Sequence, residues 1–98
     1  MSWRYSYDPS VQQQLLDAVT YFLITRPEST AQKFLGLVDE TFELALQFPQ
    51  AKPIVDTNED GISLRRVNAW HYAFLYRIEE GLGLLVIERI FHERSDPS

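Results

Sequence analysis

The 98-residue chain predicts an α+β fold of order β-α-α-β-β-β, an antiparallel sheet packed on one face by an α-helical hairpin. Three observations carry this reading. A short aromatic segment alternates at the start of the chain, two stretches with apolar residues at helical spacing follow on either side of Pro27, and the last third alternates with period two between turn signals.

The first element is the short strand in which Trp3, Tyr5 and Tyr7 alternate with Ser2, Arg4 and Ser6, leaving one face to bury. Asp8-Pro9 then starts a helix near residues 9–26, because the Asp8 carboxylate can cap free N–H groups and Pro9 loses no hydrogen bond at the first helical position. Val11, Leu15, Val19, Phe22 and Leu23 form its apolar stripe.

Pro27 interrupts that pattern, and Ser29 or Thr30 can cap a second helix near residues 29–48. Phe34, Val38, Phe42 and Ala45 lie on one stripe of it, with Leu37, Leu44 and Phe48 on another, a distribution that predicts burial between the first helix and the sheet. Gln50 to Asp60, with Pro53 and an acidic run, follows neither period and reads as an exposed loop before the Gly61 turn. Ile62 to Val67 and Trp70 to Ile78 then read as strands split by Asn68-Ala69, with Leu84 to Phe91 as the third strand of a meander. The expected core is Leu15, Val19, Phe22, Phe34, Val38, Phe42, Phe74 and Ile87.

Length and composition set bounds. At 98 residues and 45% apolar content there is room for one core, so residues 1–98 read as a single domain. With no cysteine, a disulfide framework, a thiolate metal site and a cysteine nucleophile are all excluded, which fits a reducing cytoplasm. No run approaches the roughly 18 apolar residues of a spanning helix, and no export signal is recognisable, so a soluble cytoplasmic protein without membrane partners is expected. The net charge of −5 argues against non-specific DNA binding, which needs clustered Lys and Arg. The excess sits in the first sixty residues, with four basic and nine acidic side chains; the remainder holds five arginines against five carboxylates.

Those arginines are the first candidates for chemistry. Arg65, Arg89 and Arg94 would meet if the strands bring their ends to one side, and guanidinium groups bind phosphates or carboxylates bidentately. The alternative is that each is a solvated strand residue paired with a neighbour such as Glu88 or Glu93. His92 can serve as a general acid or base, or equally end the strand beside Glu93; His71, between Trp70 and Tyr72, reads as packing. Neither histidine has a partner at ligand spacing, and the acidic loop lacks the glycine and terminal glutamate of a calcium site. No metal or cofactor is expected.

The Leu64-Arg65 pair, the strand His71-Tyr72-Ala73-Phe74-Leu75-Tyr76-Arg77-Ile78 and the ending Val86-Ile87-Glu88-Arg89-Ile90-Phe91-His92 together resemble the RelE/ParE superfamily of bacterial toxins. The resemblance takes in the two helices and so nearly the whole chain, and the superfamily has the same element order. It implies the toxin half of a type II toxin-antitoxin module, held by a cognate antitoxin. One branch cleaves messenger RNA on the ribosome; the ParE branch inhibits DNA gyrase. Arg65, Arg89 and Arg94 match motif positions of the family, and His92 occupies a position where many ParE-like members carry His.

The resemblance implies two mechanisms. As a ribosome-dependent mRNA endonuclease the chain would use His92, Arg65 and Arg89 as catalytic groups, but no tyrosine follows Arg94 and Lys33 and Lys52 are its only lysines. As a ParE-like inhibitor it would bind a protein target through Arg65, Arg89, His92 and Arg94, and the ending Glu88 to Asp96 is closer to that branch. The acidic balance also admits a third reading, a non-toxic remnant that serves as an interaction protein.

Overall fold

A computed structural model describes residues 3–93. The elements are β1 (Arg4–Tyr7), α1 (Pro9–Thr25), α2 (Glu28–Gln47), β2 (Ile54–Thr57), β3 (Ser63–Ala69), β4 (Tyr72–Glu79) and β5 (Leu84–His92), with a 3₁₀ turn at Glu80–Leu82. The five strands form one sheet in the order β1-β5-β4-β3-β2. All neighbours are antiparallel except β1 and β5, which run parallel, so the expected α+β arrangement of strand, helical hairpin and strands is found, with one strand more than predicted and with a mixed sheet.

The helical hairpin forms for the reasons the sequence supplies. Asp8 caps α1, its Oδ1 accepting from the Ser10 N–H at 3.1 Å and the Ser10 hydroxyl at 2.8 Å. These two bonds favour the charged carboxylate and hold its pKa below the ordinary value. The second helix differs from expectation. Pro27 is its N-cap, with φ −57°, and helical conformation begins at Glu28, so neither Ser29 nor Thr30 is the cap.

Both helices lie on the sheet side by side, α1 against β5 and β1 and α2 against β3 and β1. The expectation that α2 is sandwiched between α1 and the sheet is corrected by this arrangement. Its second apolar stripe is consequently exposed: Leu44 is 60% and Phe48 70% accessible. Between the layers, Phe42 is fully buried with its ring 5.1 Å from Tyr5 and 5.3 Å from Phe74. Phe22, Phe34, Val38, Phe74 and Ile87 are buried in the same cluster, while Leu15 and Val19 pack at its margin.

Two further expectations are corrected. Ile54–Thr57, read as loop, forms an edge strand on β3, and all four residues are exposed. The β3–β4 turn falls at Trp70-His71 rather than Asn68-Ala69: Ala69 pairs with Tyr72, and Trp70 takes the left-handed φ of 56°. Packing decides this. The Trp70 ring stacks on Phe22 at 5.3 Å and an interplanar angle of 15°, a contact that offsets the backbone strain of a non-glycine residue there.

One irregularity in β5 sets which face each of its later side chains occupies. Leu75 opposes Arg89 and the next residue, Tyr76, opposes Ile87, so Glu88 is the extra residue of a β-bulge. Side chains on a strand alternate between faces, and one inserted residue reverses the alternation beyond it. Leu85 and Ile87 face the helices before the bulge; Ile90 does so after it.

Candidate functional site

The face of the sheet away from the helices carries most of the arginine chemistry. Its floor is apolar, with Leu64, Ala73, Leu75 and Val86 buried outside the helix-facing cluster. Arg77 lies over this floor and donates from Nε to Glu79 and from Nη1 to Glu88, each at 2.8 Å. These bonds, that to Glu79 foremost, raise the guanidinium pKa further above its ordinary value. The Asn58 amide donates to the same Glu88 carboxylate at 3.1 Å, so the bulge residue is held from two sides.

Arg89 stands on this face opposite Leu75 and reaches Asp56 of β2 at 3.1 Å. Both partners are about half exposed, which makes this a pair of about 0–1 kcal/mol that a competing carboxylate can displace. Arg66, opposed to Leu75 from the β3 side, places its guanidinium carbon 5.5 Å from the Phe91 ring centroid and donates from Nε to Asn68 at 3.0 Å. Three arginines, 66, 77 and 89, therefore share the open face.

Arg65 is on the other side. It opposes Tyr76, a member of the helix-facing core, and its Nη1 donates to the backbone carbonyls of Gln50 at 2.9 Å and Lys52 at 2.5 Å. The Tyr76 hydroxyl donates to the Pro49 carbonyl at 2.8 Å beside it. Burial raises the Tyr76 pKa, with Arg65 opposing that shift. Together the two side chains fasten the segment that leaves α2 to the sheet.

His92 opposes Tyr72 at the end of β5, on the helix-facing side. Its ring lies 5.2 Å from Tyr72, edge to face, and 6.1 Å from His71, nearly parallel, while the Glu93 amide donates to the His71 carbonyl at 2.9 Å. The pair lines a cleft of about 410 Å³ between the ends of the helices and the β3–β4 turn. Arg94 lies outside the described residues.

The structure thus separates the residues that the sequence grouped. Arg65 anchors a backbone segment on the helix face, Arg89 sits on the open face, and His92 belongs to an aromatic cleft. Arg66 and Arg77 are not among the candidates the sequence offers, yet Leu64, Arg66 and Asn68 alternate against Arg65, Val67 and Ala69, a pattern that assigns Arg66 to a different face from Arg65. His71, expected to pack, is exposed and lines the cleft, a placement that depends on the displaced turn.

The chain also has a counterpart among known families. A family model described as "ParE toxin of type II toxin-antitoxin system, parDE" matches residues 5–97. The chain belongs to the ParE toxin family. A comparison with curated proteins finds no match. As a ParE-family member the chain is the toxin of a type II toxin-antitoxin system, and the family implies a cognate antitoxin as partner. No helix among the described residues of this ParE-family toxin is long and apolar enough to cross a membrane.

Proposed function

We propose that this ParE-family toxin, a single domain over residues 1–98, inhibits growth in the cytoplasm by binding a protein target of the DNA gyrase type. Its antitoxin neutralises it by covering the same basic surface. The observation that carries this reading is the separation of Arg65, Arg89 and His92. Cleaving RNA needs a proton acceptor, a proton donor and stabilisation of the charged phosphorane, all within hydrogen-bond reach of one phosphate. Arg65 and Arg89 extend from opposite faces of the sheet, and the Arg65 donors are directed at backbone carbonyls. Inhibition by binding asks only for shape and charge complementarity, which the open face offers through Arg66, Arg89 and the Phe91 ring.

An antitoxin segment that folds on binding fits two features at once. Its acidic groups can displace Asp56 from Arg89, and its aliphatic side chains can cover Leu16, Leu23, Leu37 and Leu44, each more than 40% exposed on the helical hairpin.

The test is a pair of assays on the purified toxin. A DNA gyrase supercoiling assay is expected to show inhibition, relieved by the co-expressed antitoxin. A reporter message translated in a cell-free extract is expected to stay intact. Ribosome-dependent cuts in the message that vanish in His92→Ala, with supercoiling untouched, would establish the ribonuclease reading instead.

A further inference from the structure

The cleft beside His92 has a chemistry that the toxin's target surface does not explain. Arg26, Thr30, Tyr21, Trp70, His71 and His92 all line it, and no carboxylate among the described residues does, in a chain with 14 acidic residues and a net charge of −5. Each of those polar side chains can donate a hydrogen bond. We propose that this cleft binds a nucleoside monophosphate, with the phosphate held by Arg26 and His71 and the base laid against Trp70.

The phosphate end follows from the donors. Arg26 comes directly after α1, and its guanidinium makes no hydrogen bond or ion pair among the described residues, so its fork is available to a bidentate acceptor. The imidazoles of His71 and His92 lie 6.1 Å apart and nearly parallel, bordering the same space. A metal ion is the competing occupant of a histidine pair. Here no group of three or more His, Cys, Asp or Glu side chains suited to a metal occurs among the described residues, and a guanidinium in the same cleft repels a cation.

The base end follows from Trp70. The indole stacks on Phe22 at 5.3 Å and is tilted against the His71 and Phe34 rings at 5.4 Å and 6.3 Å, yet the residue is 43% exposed, which leaves ring surface for a further stacking partner. Its left-handed backbone is the only non-glycine case among the described residues, and such strain recurs where a side chain is held ready for a ligand. The volume of about 410 Å³ falls in the range of small-ligand sites. Stacking on an indole is tolerant of base identity, so purine and pyrimidine monophosphates both fit. The net negative charge opposes a long polyanion and favours a single nucleotide or a strand end. This inference is independent of how the toxin meets its target.

NMR titration of the full chain tests it, following the Trp3 and Trp70 indole N–H signals and the two imidazoles. The additions are adenosine monophosphate, uridine monophosphate, inorganic phosphate and a 5′-phosphorylated trinucleotide. The expected result is a saturable shift at Trp70, His71 and His92, with Trp3 unaffected, for both monophosphates. Arg26→Ala and His71→Ala, both at exposed positions, are expected to weaken binding about tenfold each while leaving the remaining spectrum in place. Tighter binding of the trinucleotide than of the monophosphates identifies a strand end as the source; equal or weaker binding identifies the free nucleotide. No saturable shift at millimolar monophosphate, an unchanged affinity in Arg26→Ala, or equal affinity for inorganic phosphate would overturn the proposal.

Discussion

Arg65 and Arg89 project from opposite faces of the sheet, and a single residue, Glu88, is the reason. Counting by twos along β5 from Leu85 and Ile87 puts Arg89 with the helix-facing residues, the same side as Arg65. The bulge at Glu88 turns Arg89 to the open face opposite Leu75 and carries His92 to the helix side opposite Tyr72.

The two arginines should therefore respond differently to truncation. Arg65→Ala removes charge-assisted bonds to the Gln50 and Lys52 carbonyls and is expected to cost about 1.5–3 kcal/mol. Arg89→Ala loses an exposed pair with Asp56 and should cost less than about 1 kcal/mol. Urea unfolding of both variants and the double mutant checks this, and the two effects should add to within about 0.5 kcal/mol.

Phe42→Ala tests the packing between layers. Phe42 is fully buried against Tyr5, Tyr7 and Phe74, so the cavity should cost about 3–5 kcal/mol by the same unfolding measurement. A loss below about 1 kcal/mol would mean that the helices do not sit on this face of the sheet.

The aromatic strand β1 predicts a loss of stability in alkali. Burial, reinforced by the Asp39 carboxylate, pushes the Tyr7 phenol up to about 12 from an ordinary 10.0. Its pKa is higher folded than unfolded, so its contribution is complete below the unfolded value of 10.0 and is lost as pH rises through about 12. Tyr5 shifts in the same direction, first by burial and then by donating its hydroxyl to Asp39 at 2.5 Å. Melting temperatures should fall across that alkaline window, and the fall should be shallower in Tyr7→Phe.

The cap of α1 predicts a complementary loss in acid. The Asp8 pKa is lowered on folding, so its stabilisation is present above the unfolded value of 3.8 and disappears as pH falls through the folded one. Asp8→Ala should cost about 0.5–2 kcal/mol at neutral pH, and the difference from wild type should narrow in acid, as read by chemical unfolding at both pH values.

Most of the scaffold was legible because local signals and tertiary packing agree. Asp8-Pro9 caps α1 as its chemistry implies, and Phe34, Val38 and Phe42 mark the buried face of α2 by spacing alone. Three features were hidden for identifiable reasons. The strand Ile54–Thr57 is only four residues long, follows Pro53 and buries neither face, so it has no periodicity to read. Asn68-Ala69 offers better turn chemistry than Trp70-His71, and only the stacking of Trp70 on Phe22 overrides it. The bulge at Glu88 is fixed by Arg77 and Asn58, which are distant in sequence, so the grouping of the arginines could not be counted along one strand.

The proposed mode of action has the toxin engage a protein through its open sheet face. Its most direct measurement is the affinity of the purified toxin for purified DNA gyrase, by titration calorimetry, for wild type, Arg89→Glu and His92→Ala. A saturable complex is expected, weakened at least about tenfold by the charge reversal at Arg89 and little changed at His92. No complex, or a complex indifferent to Arg89→Glu, would contradict it.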